Sequence, residues 1–134
     1  MKYLLDTNIC IYIIKKQPIE IIEKFNSFSI GDIGISAITL AELYFGVEKS
    51  MHPAKNIKAL EEFLLPLIIE DFDYNASVIY GKLRTNLEKK GKLIGSLDML
   101  IAAHALALNV TLVTNNTKEF IRVSNLKIEN WVNK

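Results

Sequence analysis

Three carboxylates, Asp6, Glu42 and Asp98, stand where folding alone gives little reason to put them, and a fourth, Glu119, lies a few residues past a strand. Asp6 closes the short apolar run Tyr3-Leu4-Leu5 and is followed at once by Thr7 and Asn8. Glu42 interrupts the otherwise apolar stretch from Ala37 to Phe45, whose one other polar residue is Thr39. Residues three apart share a face of a helix, so those two lie on one side. Asp98 comes just after Gly95-Ser96-Leu97, in the first turn of another apolar helical pattern. Glu119 follows the run Val110-Thr111-Leu112-Val113 by a few residues, beyond Thr114-Asn115-Asn116. All four fall near strand C-termini or helix N-termini, and the carboxyl edge of an α/β sheet is where such folds gather their ligands.

Carboxylates crowded together repel one another, and some of their pKa values must rise. Such a group becomes favourable around a divalent cation. Ligands made of oxygen alone suit magnesium or manganese, which keep several waters and contact phosphates. Thr7, Asn8, Thr114 and Asn115 are placed to hold those carboxylates and waters from behind. The chemistry this suggests is metal-assisted hydrolysis of a phosphodiester: water attacks phosphorus in line while the metal stabilises the leaving oxygen. Asp6, Glu42, Asp98 and Glu119 are the candidate residues for such a site.

Each acid also has an ordinary explanation. Asp6 can cap the helix behind it. Glu42 can pair with a buried lysine or arginine. Asp98 in a first turn complements the helix dipole, and Glu119 can be a solvated helix residue. Spacing leaves these readings open beside the metal site. Cys10 reads as a small core residue, with no histidine near it in sequence to activate it. His104, within Ala102-Ala103-His104-Ala105, reads as a satisfied or surface histidine. Lys82, Arg84, Lys89, Lys90 and Lys92 form the densest basic cluster. They are either a solvated helix end or a rim that tracks the phosphates of a nucleic acid.

The elements that would position these residues alternate along the chain. Strands are expected at residues 3–5, 33–35, 67–69 and 110–113, with a last edge strand at 126–128. The first helix is expected at about 8–16, and the second opens at Gln17-Pro18 with Ile19, Ile22, Phe25 and Phe28 at helical spacing. Ser36 looks like the cap of the third helix. The fourth begins at His52-Pro53, with Ile57, Leu60 and Leu64 inward. The fifth is capped by Asp73 and carries the stripe Ala76, Ile79, Leu83, Leu87. The sixth starts at Gly95-Ser96 and a short seventh at Thr117. Strands alternating with helices imply parallel strands and a three-layer α/β/α sandwich with a central, mostly parallel sheet.

At 134 residues the chain fits one domain, residues 1–134, with a proper core. No apolar run reaches the length of a membrane span, and the N-terminus meets Asp6 too early for a signal peptide. A net charge of +1, from 16 basic and 15 acidic residues, does not announce a nucleic-acid binder; any basic surface must be local. A single cysteine excludes an internal disulfide, fits a reducing cytoplasm, and supports no zinc motif with His52 and His104 so far away.

Leu5-Asp6-Thr7-Asn8, Ala41-Glu42-Leu43, the segment from Asp98 to Ala105, and Leu112-Val113-Thr114-Asn115-Asn116 come in the order and spacing of the motifs of PIN-domain nucleases. The chain resembles most the VapC-type toxins of bacterial toxin–antitoxin pairs, from Tyr3 to the closing Ile128-Glu129-Asn130-Trp131. The resemblance implies a PIN-like sandwich with the acids in one groove. It places the first three family acids on Asp6, Glu42 and Asp98, the variable fourth on Glu119, and the polar position after strand four on Thr114 or Asn115. It further implies a magnesium- or manganese-dependent endoribonuclease, often a homodimer, in several members cutting structured RNA such as transfer RNA. The implied partner is a small VapB-type antitoxin whose C-terminal segment lies across the groove.

Two other readings compete. Asp6-Thr7 after a strand is also the opening of haloacid-dehalogenase-type phosphatases, but their general acid two residues on is here Asn8, which cannot supply that proton. A non-catalytic RNA- or protein-binding domain of the same fold is the third. For a dimer, the apolar first helices and the aromatic pair Tyr44 and Phe45 are the candidate contributors.

Overall fold

The computed structural model describes residues 1–132. In chain order the elements are β1 (Tyr3–Leu5), α1 (Thr7–Lys15), α2 (Ile19–Asn26), β2 (Ile33–Ser36), α3 (Ala37–Glu48) and α4 (Pro53–Leu64). Then come β3 (Ile68–Glu70), α5 (Tyr74–Lys89), α6 (Ser96–Leu108), β4 (Thr111–Val113), α7 (Thr117–Phe120) and β5 (Ile128–Glu129). The strands form one sheet in the order β3-β2-β1-β4-β5, and every pairing is parallel. Parallel neighbours cannot be joined by hairpins, so the helices between them cover both faces.

The pleat shows the layers directly. Successive residues of a strand point to opposite faces. On β1, Leu4 packs with Leu87, Met99 and Ala102 of the α5–α6 layer, whereas Leu5 packs with Ile9 and Leu43 of the α1–α4 layer and with Ile35 of β2. On β4, Leu112 and Val113 divide in the same way. Asp6 is therefore the first residue beyond the strand at the centre of the sheet, between both layers. On β2, Gly34 lets β3 approach: a Cβ there would lie 2.7 Å from the carbonyl oxygen of Ile68.

Most expected elements are present, with boundaries moved. The third strand is displaced one residue to Ile68–Glu70, and the last strand is Ile128–Glu129 rather than 126–128. Pro18 caps α2 instead of opening it. The inward face of α2 is also corrected: Ile21 is fully buried and Ile19 is 64% exposed. On α4 the buried pair is Leu60 and Phe63, while Ile57 and Leu64 are half-buried. The stripe on α5 holds, with Ala76, Leu83 and Leu87 buried and Ile79 at its margin. Ser36 and Asp73 cap α3 and α5, accepting from the backbone N–H of Ile38 and Ala76. None of the described helices is long and apolar enough to cross a membrane.

Candidate metal centre

Asp6 is held from two sides at the end of β1. Its Oδ1 accepts from the backbone N–H of Ile9 at 2.9 Å, which caps α1. Its Oδ2 accepts from the hydroxyl of Thr114, just past β4, at 2.5 Å. The side chain is buried, so each bond replaces water that it has lost. Thr114 is itself fixed, because its Oγ1 accepts from the backbone N–H of Asn116 at 2.9 Å. The hydroxyl of Thr7 donates to Glu42 Oε1 at 2.6 Å and ties α1 to α3. The amide of Asn116 donates to Glu119 Oε2 at 3.0 Å.

These local bonds bring the four acids into one electrostatic field. Asp98, in the first turn of α6, is pushed up to about 6. Burial is the main cause, followed by the charges of Glu119, Asp6 and Glu42, and by a hydrogen bond with the Glu119 carboxyl. Asp6 is also raised from its ordinary value. Burial drives that rise, the bonds from Thr114 and Ile9 oppose it, and the charge of Glu42 adds to it. Residues from β1, α3, α6 and α7 thus repel across one space at the carboxyl edge of the sheet.

No cation of the chain relieves that repulsion among the described residues. The two ion pairs present are Lys24–Glu129 and Arg84–Glu88, both away from the acids. The buried-cation explanation of Glu42 therefore falls; the hydroxyl of Thr7 is its partner. Glu119 is half-buried against Asp98 rather than turned to solvent. Also among the described residues, no three acidic, histidine or cysteine side chains already close into a ligand cage. The donor set fits a hard divalent cation: it is all oxygen, excess in negative charge, and backed by hydroxyl and amide donors.

Two of the expected supporting residues make no side-chain bond to the acids among the described residues. Asn8 has an exposed side chain, and what reaches Asp6 is its backbone N–H. The side-chain amide of Asn115 turns away from the carboxylates to the Tyr12 hydroxyl, at 2.9 Å, and pins the turn after β4 to α1. The residue that does hold an acid is its neighbour Asn116, which sequence reasoning passed over. A signal was available: Asn116 precedes Glu119 by three residues at the start of α7, the spacing at which a cap and an acid meet.

The remaining candidates sort cleanly. Cys10 is buried, and burial pushes its thiol well above the ordinary value, as expected of a core residue. His104 is buried and satisfied: its Nδ1 lies 2.8 Å from Ser36 Oγ, and its ring meets Phe72 edge-on. Tyr44 is half-buried and Phe45 exposed. Of the basic cluster, Arg84 is occupied, donating to the Tyr80 hydroxyl at 2.8 Å and standing 3.4 Å from Glu88. Lys82, Lys89, Lys90 and Lys92 are exposed.

A five-stranded parallel sheet with carboxylates from four segments at the end of its central strands is the arrangement of a PIN domain. The chain belongs to that family, whose pattern matches residues 3–126. Ribonuclease VapC2 of Haemophilus influenzae is 48% identical over 132 residues, covering 98% of this chain and 99% of that protein. The tRNA(fMet)-specific endonuclease VapC of Shigella flexneri is 41% identical over 131 residues, with 98% of each chain covered. Among solved structures, VapBC2 from Rickettsia felis bound to a DNA fragment from their promoter superposes with a TM-score of 0.93 at 49% identity. That match covers 98% of this chain and 100% of the other.

Proposed function

We propose that this chain acts as a single PIN domain, the toxin of a toxin–antitoxin pair, and hydrolyses RNA phosphodiester bonds in a reaction that depends on magnesium or manganese. The observation that supports this reading is the mutual charge effect of Asp6, Glu42, Asp98 and Glu119, with no cation paired to them among the described residues. Relatives at 41–48% identity over almost the whole chain bear the names ribonuclease and tRNA(fMet)-specific endonuclease. Transfer RNA is therefore the first substrate to test, and an antitoxin of the kind in VapBC complexes is the first partner.

A bound hard divalent cation supplies Lewis acidity to the attacking water and to the leaving oxygen. Asp6, Asp98 and Glu42 are the residues to hold it, with Glu119 beside Asp98. The chain does the rest. Thr114 and the N-terminus of α1 fix both oxygens of Asp6. Thr7 fixes Glu42, and Asn116 fixes Glu119. Asp98, raised to about 6, holds or releases a proton near neutral pH according to what stands among the acids.

The test is incubation of purified protein with bulk transfer RNA, with magnesium, with manganese and with EDTA. Cleavage in either metal that stops in EDTA is the expected result. Cleavage indifferent to EDTA would remove the metal-centred reading. RNA binding without cleavage in any metal would favour the non-catalytic binding domain.

A further inference from the structure

The near-neutral total charge hides an uneven distribution. Residues 82–92 carry five cations against the single acid Glu88, and residues 118–122 carry two against Glu119. The remainder of the chain holds nine cations against thirteen acids. These two basic segments sit next to each other in space and beside the acids. Residues 91–95 join the end of α5 to the start of α6, the turn that bears Asp98. Arg122, just past α7, donates from Nη1 to the carbonyl of Leu93 at 3.1 Å, which fastens α7 to that same loop. Glu119 of α7 meets Asp98.

Lys118, Lys92, Lys90 and Lys89 therefore border one side of the acid site. Lys82 prolongs the border along α5, seven residues and roughly 10 Å from Lys89 at 1.5 Å per residue. Lys82 and Lys89 line one shallow groove with Thr85 and Asn86. The four lysines 82, 89, 92 and 118 are exposed and take part in neither ion pair found among the described residues. Arg84 is excluded, since Glu88 already neutralises it. On the other side of the site, the wall beside Glu42 is lined by the apolar Ile11, Leu43, Val47 and Leu60 together with one cation, Lys15. That wall offers a phosphate one lysine, against four on the α5–α7 side.

We propose that RNA enters the acid site from the α5–α7 side, with the phosphates on one flank of the cut held by Lys82, Lys89, Lys92 and Lys118. The inference rests on the ribonuclease reading above. A cluster of carboxylates repels a polyanion, so the strand must be held by cations beside the acids, and this flank carries the densest run of exposed lysines in the sequence. Bonds to phosphate of this kind position the strand and carry no sequence information.

The experiment is binding of fluorescein-labelled bulk transfer RNA in EDTA, followed by anisotropy over a series of salt concentrations, together with cleavage in magnesium. The variant is Lys82→Ala/Lys89→Ala/Lys92→Ala; these exposed side chains make no bond that the fold needs. The control is Lys55→Ala/Lys58→Ala on α4. Each phosphate left without its lysine should reduce the slope of log affinity against log salt by about 0.7–0.9, so the triple variant should lose about 2 or more. Its KM for transfer RNA should rise roughly tenfold or more with kcat unchanged, and the control should match wild type. A slope equal to wild type in a protein that still cleaves would overturn the proposed track and leave the ribonuclease reading standing. An unchanged slope with the control weakened would place the track on α4 instead. If the triple variant shows the expected loss of slope but wild type cleaves nothing in magnesium, the ribonuclease reading fails and the binding surface stands.

Discussion

In the absence of metal, Asp98→Asn should make the protein more stable at neutral pH and leave it unchanged in acid. The side chain is held at about 6 by burial and by Glu119, Asp6 and Glu42, against an ordinary value of 3.8. The folded state therefore prefers the protonated form. That preference stabilises the protein fully below about pH 4 and is lost as pH rises through about 6. At full weight the rise corresponds to roughly 3 kcal/mol. Asp98 is only half-buried, and solvent screening brings the expected figure to about 1 kcal/mol. Asparagine keeps the shape and cannot ionise, so the variant escapes the loss. Urea unfolding in EDTA at about pH 4, 6 and 7.5 measures it, and subtracting variant from wild type cancels most of what the other carboxylates contribute. The two proteins should agree near pH 4 and diverge by about 1 kcal/mol at pH 7.5, the variant being the more stable. Millimolar magnesium should then raise the Tm of wild type at pH 7.5 much more than at pH 4, and raise that of an Asp6→Asn/Asp98→Asn protein hardly at all. A stability difference that does not change with pH would mean that these carboxylates share no field, and the reasoning about the centre would fail with it.

Asp6→Asn should reduce RNA cleavage by roughly a hundredfold or more while far-UV dichroism stays native, as expected when a ligand is removed from a metal site; cleavage at the wild-type rate would mean the site is misplaced. Asn116→Ala should leave the fold intact but raise the magnesium concentration for half-maximal Tm shift by roughly tenfold, because Glu119 loses the donor that orients it. Asn116→Asp should not restore binding, since a third carboxyl beside Asp98 and Glu119 adds repulsion instead of a donor.

The sheet was legible because its cause is local. Short apolar runs separated by helical stretches have one economical solution, strands buried on both faces under crossover helices. The acids were legible for a related reason: a carboxylate that interrupts an apolar run is costly, and Asp6 and Glu42 both do so. What spacing did not resolve was direction. Asn115 and Asn116 are adjacent amides in one turn, and only the backbone after β4 decides that the first reaches Tyr12 and the second Glu119. On α2, eight residues cover barely two turns, so the phase of its apolar face was settled by packing against α1, which selects Ile21 over Ile19. The neutralisation of Arg84 by Glu88, in contrast, was readable from their four-residue spacing on a helix.

The ordinary explanation of Asp6 and the functional one are not alternatives. A carboxylate accepts at both oxygens, with lone pairs to spare. Asp6 uses one oxygen for the free N–H of Ile9 and the other for Thr114. Those bonds favour the ionised form and hold its rise in check, although burial and Glu42 push it upward. A ligand must be anionic and oriented before the cation arrives, and capping a helix meets both requirements. The same logic extends to Glu119, which stands in the first turn of α7 and is gripped by the residue that precedes that helix. In this chain the ends of strands and the starts of helices leave backbone donors open, and acids placed there to satisfy or complement them are also aimed at one another. The repulsion that follows is what a divalent cation relieves.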